Sequence, residues 1–347
     1  MKILLISSGI LEVPPLGYGG LEQIVADLAI ELDKIGHTVC VVCPNESTIG
    51  NIGNIDAWVC GEKNRNAHQW EREAFEKYKN RLIEFDIIHD HSWTKPSYLA
   101  KIDNPKLNVI STLHGMLGPG SPYGSPPPVD KPCFVGISKD HAQSIASFLG
   151  IASRFCYNGI DLDKYRFKQE KSDRYLFLAR INPYKAPHVF IDLMKQANKQ
   201  GDIVGDDILV EDPNYVEKVL MMCNDLQGQI KYWGGATRDR AMEFFQNAKA
   251  YIAPLLPPWR EPFNLCVIES MACGTPVIGT ANGALPELIE HGKSGFVCQT
   301  IFDMLQYLNK VNEIRPEECR QRAEQFSRKR MVDTYLELYN EVIKGGW

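Results

Sequence analysis

Short apolar runs alternate along this chain with longer stretches whose apolar positions recur every three or four residues. Residues 3–7 and Thr38–Cys43 are unbroken runs suited to strands buried on both faces. Between them Leu21, Ile24, Val25, Leu28, Leu32 and Ile35 keep helical spacing, and Gly36 supplies a C-terminal stop. Residues 71–82 predict another helix, anchored by Trp70, Phe75 and Tyr78, and residues 87–89, 108–113 and 134–137 predict short strands. Strand and helix in alternation imply a parallel sheet covered by helices on both faces.

The pattern then restarts. A strand over 175–179, a helix over 187–200, a weak strand over 208–211 and a helix over 215–225 lead to strands at 230–233, 250–253 and 276–279. Helices at Arg238–Asn247 and 263–273 separate these last strands. The expectation is two doubly wound, Rossmann-like α/β domains in tandem: residues 1–162 with a final helix over 327–347, and residues 163–326. The polar stretch 161–171 holds the hinge.

A chain of 347 residues also favours two domains over one core. The formal net charge of −5 argues against a nucleic-acid partner, which would call for a basic excess. No apolar stretch reaches the length of a membrane span, and residues 1–9 do not read as a secretory signal. The expectation is a cytoplasmic protein, not integral to a membrane, with peripheral association left open. Ten cysteines show no framework, and Cys40 and Cys43 lie three apart on a strand, facing opposite ways. They read as free thiols of a reducing compartment.

Candidate chemistry gathers where strands end, which is where doubly wound sheets bind ligands. Gly17-Tyr18-Gly19-Gly20-Leu21-Glu22 follows the first strand and opens a helix, a place where backbone can approach an anion. His89-Asp90-His91 and His114 end two further strands. A metal reading of His-x-His lacks further ligands, so His114 is assigned to hydrogen bonding with substrate. The segment 115–132 is rich in Pro and Gly and can be neither helix nor central strand. In the second half Arg180 and Lys185 follow a strand and can clamp a diphosphate.

The most specific signal is Glu261-Pro262-Phe263-Asn264-Leu265-Cys266-Val267-Ile268-Glu269, continuing through Ala272-Cys273-Gly274-Thr275-Pro276-Val277-Ile278. Glu261 precedes a helix and Glu269 lies about two turns on, among apolar neighbours, where a carboxylate needs a partner such as a sugar or ribose diol. The N–H groups of Phe263, Asn264 and Leu265 would open that helix toward phosphate oxygens.

This block resembles the E-x7-E motif of the retaining glycosyltransferases of family GT4. Further matches follow in that family's order: Gly19-Gly20-Leu21-Glu22, Gly36-His37-Thr38-Val39, His114-Gly115, Val135-Gly136-Ile137-Ser138, Asn158-Gly159-Ile160-Asp161, and Ala179-Arg180-Ile181 with Lys185. The resemblance spans essentially the whole chain. It implies a GT-B fold, two Rossmann-like domains facing a central cleft, with acceptor on the first and nucleotide-sugar donor on the second. It implies that Glu269 binds ribose hydroxyls, Glu261 the donor sugar, and Arg180 and Lys185 the diphosphate. Gly19 and Gly20 would close on the phosphates, and His114 would sit at the O6 side of the sugar. Pro262, Phe263, Asn264 and Leu265 would line the donor.

The implied reaction is transfer of a hexosyl group from a UDP- or GDP-sugar to a hydroxyl of a small molecule, lipid or glycan, with retention and without a metal or other cofactor. Two alternatives share the fold: a nucleotide-sugar epimerase and a non-catalytic nucleotide-sugar-binding protein. The pattern departs from the family at Ala179 and Ala186, where glycine is usual, and at 206–213, where a Gly-rich turn is usual. Base and donor choice therefore stay open.

Overall fold

The computed structural model describes residues 1–116, 132–205, 212–226 and 228–347. The segments at 117–131 and 206–211 lie outside it, and with them most of the Pro/Gly-rich stretch and the strand expected at 208–211. The described residues divide into two compact units, 1–159 with 328–347, and 160–327.

The first unit runs β1 (Lys2–Ile6), α1 (Gly20–Lys34), β2 (Thr38–Cys43), β3 (Asp56–Val59), α2 (Ala67–Tyr78), β4 (Ile87–Asp90), α3 (Pro96–Asp103), β5 (Val109–Thr112), β6 (Cys133–Gly136), α4 (Lys139–Leu149) and β7 (Ser153–Phe155). Its seven strands are parallel in the order β3-β2-β1-β4-β5-β6-β7, so the winding reverses between β1 and β4. Helix α2 begins four residues before the expected start because the Asn66 side chain caps it, accepting from Gln69 N–H. It ends at Tyr78 in a tighter 3-10 turn over Lys79–Glu84. Trp70 and Tyr78 are buried with Leu4, Ile6 and Val42 in the core on one side of the sheet.

The second unit runs β8 (Arg174–Leu178), α5 (Pro187–Gln196), β9 (Gln200–Val204), α6 (Pro213–Asn224), β10 (Ile230–Tyr232), α7 (Arg238–Asn247), β11 (Tyr251–Ala253), α8 (Leu265–Ala272), β12 (Val277–Thr280), α9 (Leu285–Leu288), β13 (Gly295–Cys298), α10 (Ile301–Tyr307) and α11 (Pro316–Ala323). Its six parallel strands follow the order β10-β9-β8-β11-β12-β13, reversing between β8 and β11. The helix expected over 187–200 stops at Gln196, because Asn198 turns left-handed (φ 51) and the chain enters β9 at Gln200. Gly201 is required there: a Cβ would fall 2.6 Å from the Phe190 ring of α5.

The last helix, α12 (Arg328–Ile343), belongs to the first unit. Arg328 reaches Asp27 and Glu31 of α1 at 3.1 Å each, and Tyr335 and Tyr339 are fully buried near β4 and β5. No helix among the described residues is long and apolar enough to cross a membrane.

Candidate functional site

In the second unit, the loops after β8 and β11 meet where the strand order reverses, the position at which such sheets bind ligands. The Leu256 N–H donates to the Tyr184 carbonyl at 3.0 Å and fastens one loop to the other. Lys185 Nζ then donates to Glu261 Oε2. The indole N–H of Trp259 donates to the same oxygen at 3.2 Å. Trp259 stacks on Tyr184 with centroids 4.5 Å apart, and Arg180 donates to the Tyr184 hydroxyl at 3.2 Å.

The backbone of Glu261 is fixed from the turn after β12. Its N–H donates to Asn282 Oδ1 at 2.8 Å, and its carbonyl accepts from Ala284 N–H at 2.9 Å. Gly283 permits this approach: it is left-handed (φ 55), and a Cβ would lie 2.1 Å from the Glu261 carbonyl oxygen.

Glu269 sits in the second turn of α8 and is 8% exposed. The Tyr165 hydroxyl donates to its Oε1 at 2.7 Å, and Arg238 lies 3.6 Å from the same oxygen. The partner required by a buried carboxylate is thus supplied by the protein itself. Cys266, one turn earlier, links the two glutamates electrostatically. Burial pushes its thiol up, Glu269 and Glu261 push further, and Lys185 and Arg238 pull against them.

The first unit holds a second polar cluster at its own reversal point. His91 Nδ1 and His114 Nε2 share a proton at 2.9 Å. His89 bridges the Tyr339 hydroxyl at 2.7 Å and Thr112 Oγ1 at 2.8 Å, and Thr112 bonds the Tyr335 hydroxyl at 2.8 Å. His141 Nδ1 accepts from Ile137 N–H, so its Nε2 carries the proton given to the Gly115 carbonyl at 3.0 Å. Lys95, left-handed at φ 52, is buried and donates to the carbonyls of Asp90, Ser92 and Thr112. Burial first, then neighbouring histidines and the charge of Lys95, hold His89 and His91 well below the ordinary imidazole value, and burial followed by Lys95 and His141 does the same for His114. Burial pushes His141 down to about 4 and Lys95 down to about 8. Among the described residues no three of His, Cys, Asp and Glu gather as a metal-ligand set.

The family model described as glycosyl transferases group 1 matches residues 161–330, and that described as glycosyltransferase family 4 matches residues 18–164. The chain belongs to the group 1 glycosyltransferases of family 4. It is similar to spore coat protein SA of Bacillus subtilis, 23% identical over 95% of this chain and 94% of that one. It is also similar to the N-acetyl-alpha-D-glucosaminyl L-malate synthase of Bacillus anthracis, 25% identical over 75% of each. Among solved structures, Anabaena HepE in complex with UDP-glucose matches with TM-score 0.78 at 18% identity, covering 98% of this chain and 100% of that one. AviGT4, a glycosyltransferase involved in avilamycin A biosynthesis, matches with TM-score 0.73 at 21% identity over 100% and 99%. The fold is GT-B.

In this glycosyltransferase the residues singled out in the sequence fall into two groups. Arg180, Lys185, Glu261 and Glu269 gather in the second unit, with Lys185 already paired to Glu261 rather than standing as a lone phosphate cation. His114, Gly19 and Gly20 lie in the first unit. Gly19 caps α1 at φ 142, a conformation that serves glycine, and Gly20 opens the helix.

One expectation is corrected. Helix α8 starts at Leu265 with Asn264 as its cap, so Pro262, Phe263 and Asn264 precede the helix and the first-turn N–H groups begin at Leu265. Tyr165, Arg238, Trp259, Asn282 and His91 complete the two clusters and were not assigned roles from sequence. Only the aromatic Trp259, two residues before Glu261, stood close enough to the motif to be noticed.

Proposed function

We propose that this glycosyltransferase moves a hexosyl group from a nucleoside-diphosphate sugar, UDP- or GDP-linked, to a hydroxyl acceptor with retention of configuration and without a metal ion. The observation that carries the reading is the way the two glutamates are held, Glu261 just ahead of α8 and Glu269 in its second turn. Glu261 and Glu269 each hold cations and hydrogen-bond donors on one carboxylate oxygen, Oε2 and Oε1 respectively. Among the described residues the other oxygen of each has no protein partner and can accept from sugar or ribose hydroxyls. The relatives agree in kind: one is named a synthase joining N-acetylglucosamine to malate, and HepE has been solved with UDP, with UDP and glucose, and with UDP-glucose.

Bond breaking at the anomeric carbon places negative charge on the departing diphosphate. Arg180, Lys185 and the first N–H groups of α8 are preorganised donors for that charge, which is where electrostatic catalysis gains most. The acceptor oxygen then bonds to the anomeric carbon on the face the diphosphate leaves, and its proton passes to a phosphate oxygen. Glu261, fixed by Lys185, Trp259 and Asn282, orients the sugar; Glu269 orients the ribose. His114, kept neutral by burial, can donate or accept one hydrogen bond without adding a positive charge.

A donor panel tests this. UDP-, GDP- and ADP-sugars are incubated with hydroxyl acceptors, released nucleotide is measured, and the anomeric configuration of the product is read by NMR. One donor should be turned over with retention, and chelation should leave the rate unchanged. Inversion, or an isomerised donor with no released nucleotide, would overturn the reading.

A further inference from the structure

Glu269 has an uneven set of neighbours. Tyr165 and Arg238 both address Oε1, and nothing among the described residues addresses Oε2. Tyr165 comes from the stretch before β8, 104 positions from its partner, and is 8% exposed. Its backbone is anchored independently. Arg320 of α11 donates to the Tyr165 carbonyl at 2.7 Å, to the Ala272 carbonyl at the end of α8 at 2.9 Å, and to the Leu162 carbonyl at 3.3 Å. One guanidinium thus ties the Tyr165 segment to the helix that carries Glu269. Arg238 is fixed separately, as the first residue of α7 behind the Thr237 cap.

A glutamate side chain free to choose among rotamers loses entropy when a ligand selects one. Here a buried phenol, held by an anchored backbone, selects it beforehand. Both contacts fall on Oε1, so the hydrogen bond that fixes the carboxylate leaves Oε2 for a ligand. Preorganisation of this kind raises affinity by lowering the ordering cost.

We infer that Tyr165, with Arg238 beside it, is a positioning residue that fixes Glu269 so that Oε2 reads the ribose hydroxyls of the nucleotide, and hence that the site's preference for ribose over deoxyribose depends on the Tyr165 hydroxyl. This rests on the assignment of Glu269 to the ribose in the proposed function.

The test uses the full chain and calorimetric binding of UDP, GDP and ADP. The diphosphate bound most tightly is then compared with its 2′-deoxy counterpart for the unmodified protein and for Tyr165→Phe, Arg238→Gln and Glu269→Gln. The unmodified chain should favour the ribonucleotide by about tenfold or more, the scale of one hydrogen bond to a charged group. Tyr165→Phe should weaken ribonucleotide binding by about tenfold and leave deoxynucleotide binding within about twofold, so the preference collapses with the melting temperature nearly unchanged. Arg238→Gln should reduce the preference in the same direction by a smaller factor.

A Tyr165→Phe protein that keeps the full preference while Glu269→Gln loses it overturns this inference alone. A Glu269→Gln protein that keeps the preference, or a chain that binds none of the three diphosphates, overturns the ribose assignment and this inference with it. Equal weakening of both nucleotides by Tyr165→Phe shows a merely structural role and also overturns it.

Discussion

The indole N–H of Trp259 donates to Glu261 Oε2 at 3.2 Å while the face of the ring lies on Tyr184. The ring therefore does two separable things: it orients a carboxylate and it braces the loop that carries Arg180 and Lys185. Trp259→Phe keeps an aromatic face and removes the donor. Turnover should fall about tenfold, the scale of one hydrogen bond to an ionised group, with nucleotide affinity within about twofold of normal. Steady-state kinetics with parallel calorimetry checks this. Unchanged turnover would reduce the indole to a packing element.

Lys185 and Glu261 form a buried ion pair whose side chains are 13% and 6% exposed. Removing one partner strands the other charge, whereas replacing both with apolar groups of similar size is often close to neutral. Lys185→Met and Glu261→Leu should each cost about 3 kcal/mol in urea unfolding, and the double variant should recover most of that loss. Transfer should stay abolished in all three. A double variant as unstable as the sum of the singles would show that the two side chains act independently.

Much of this arrangement was readable in the sequence, and the reason is periodicity. Parallel strands buried on both faces leave unbroken apolar runs, so β1, β2 and β11 stand out beside helices α1 and α7. Strand β9 was hidden because helix-compatible residues run on from α5 to Lys199, and only the left-handed turn at Asn198 separates the two elements. Strand β3, exposed along much of its length, carries no such run. At the site, Glu261 and Glu269 lie within one local motif, but their partners come from afar. Tyr165 is 104 positions from Glu269, and Asn282 is 21 from Glu261. Local spacing finds the carboxylates; only the folded chain finds what holds them. The same is true of His89, whose partner Tyr339 is 250 positions away.

Lys95 is a buried cation whose ammonium is taken up by carbonyls at the ends of β4 and β5. Lys95→Met leaves those carbonyls short of a donor, and a buried unsatisfied acceptor costs roughly 1–3 kcal/mol. The first unit should lose about 3 kcal/mol in all, read by urea unfolding. The same substitution removes the positive charge that depresses His89, His91 and His114, so their protonation should move upward in pH. Histidine resonances titrating at unchanged pH would show that burial and the neighbouring rings keep them neutral without Lys95.

That depression makes the first unit sensitive to mild acid. Above the ordinary imidazole value of 6.5 both folded and unfolded chains hold these rings neutral, and the full stability is present. As pH falls below 6.5 the unfolded chain takes up protons that the folded cluster refuses, so stability is lost on the way down toward the depressed values. Each of His89, His91, His114 and His141 contributes up to one extra proton on unfolding, equivalent to about a tenfold fall in the folding constant per pH unit. Melting temperature measured from pH 7.5 to pH 5 should therefore drop steeply below about 6.5. His141→Gln should lower the proton uptake on unfolding by about one, because that ring is pushed down to about 4 and its neighbours are unchanged. A melting temperature flat between pH 7 and pH 5.5 would mean that the four rings accept protons in the folded chain and that the cluster is not held neutral.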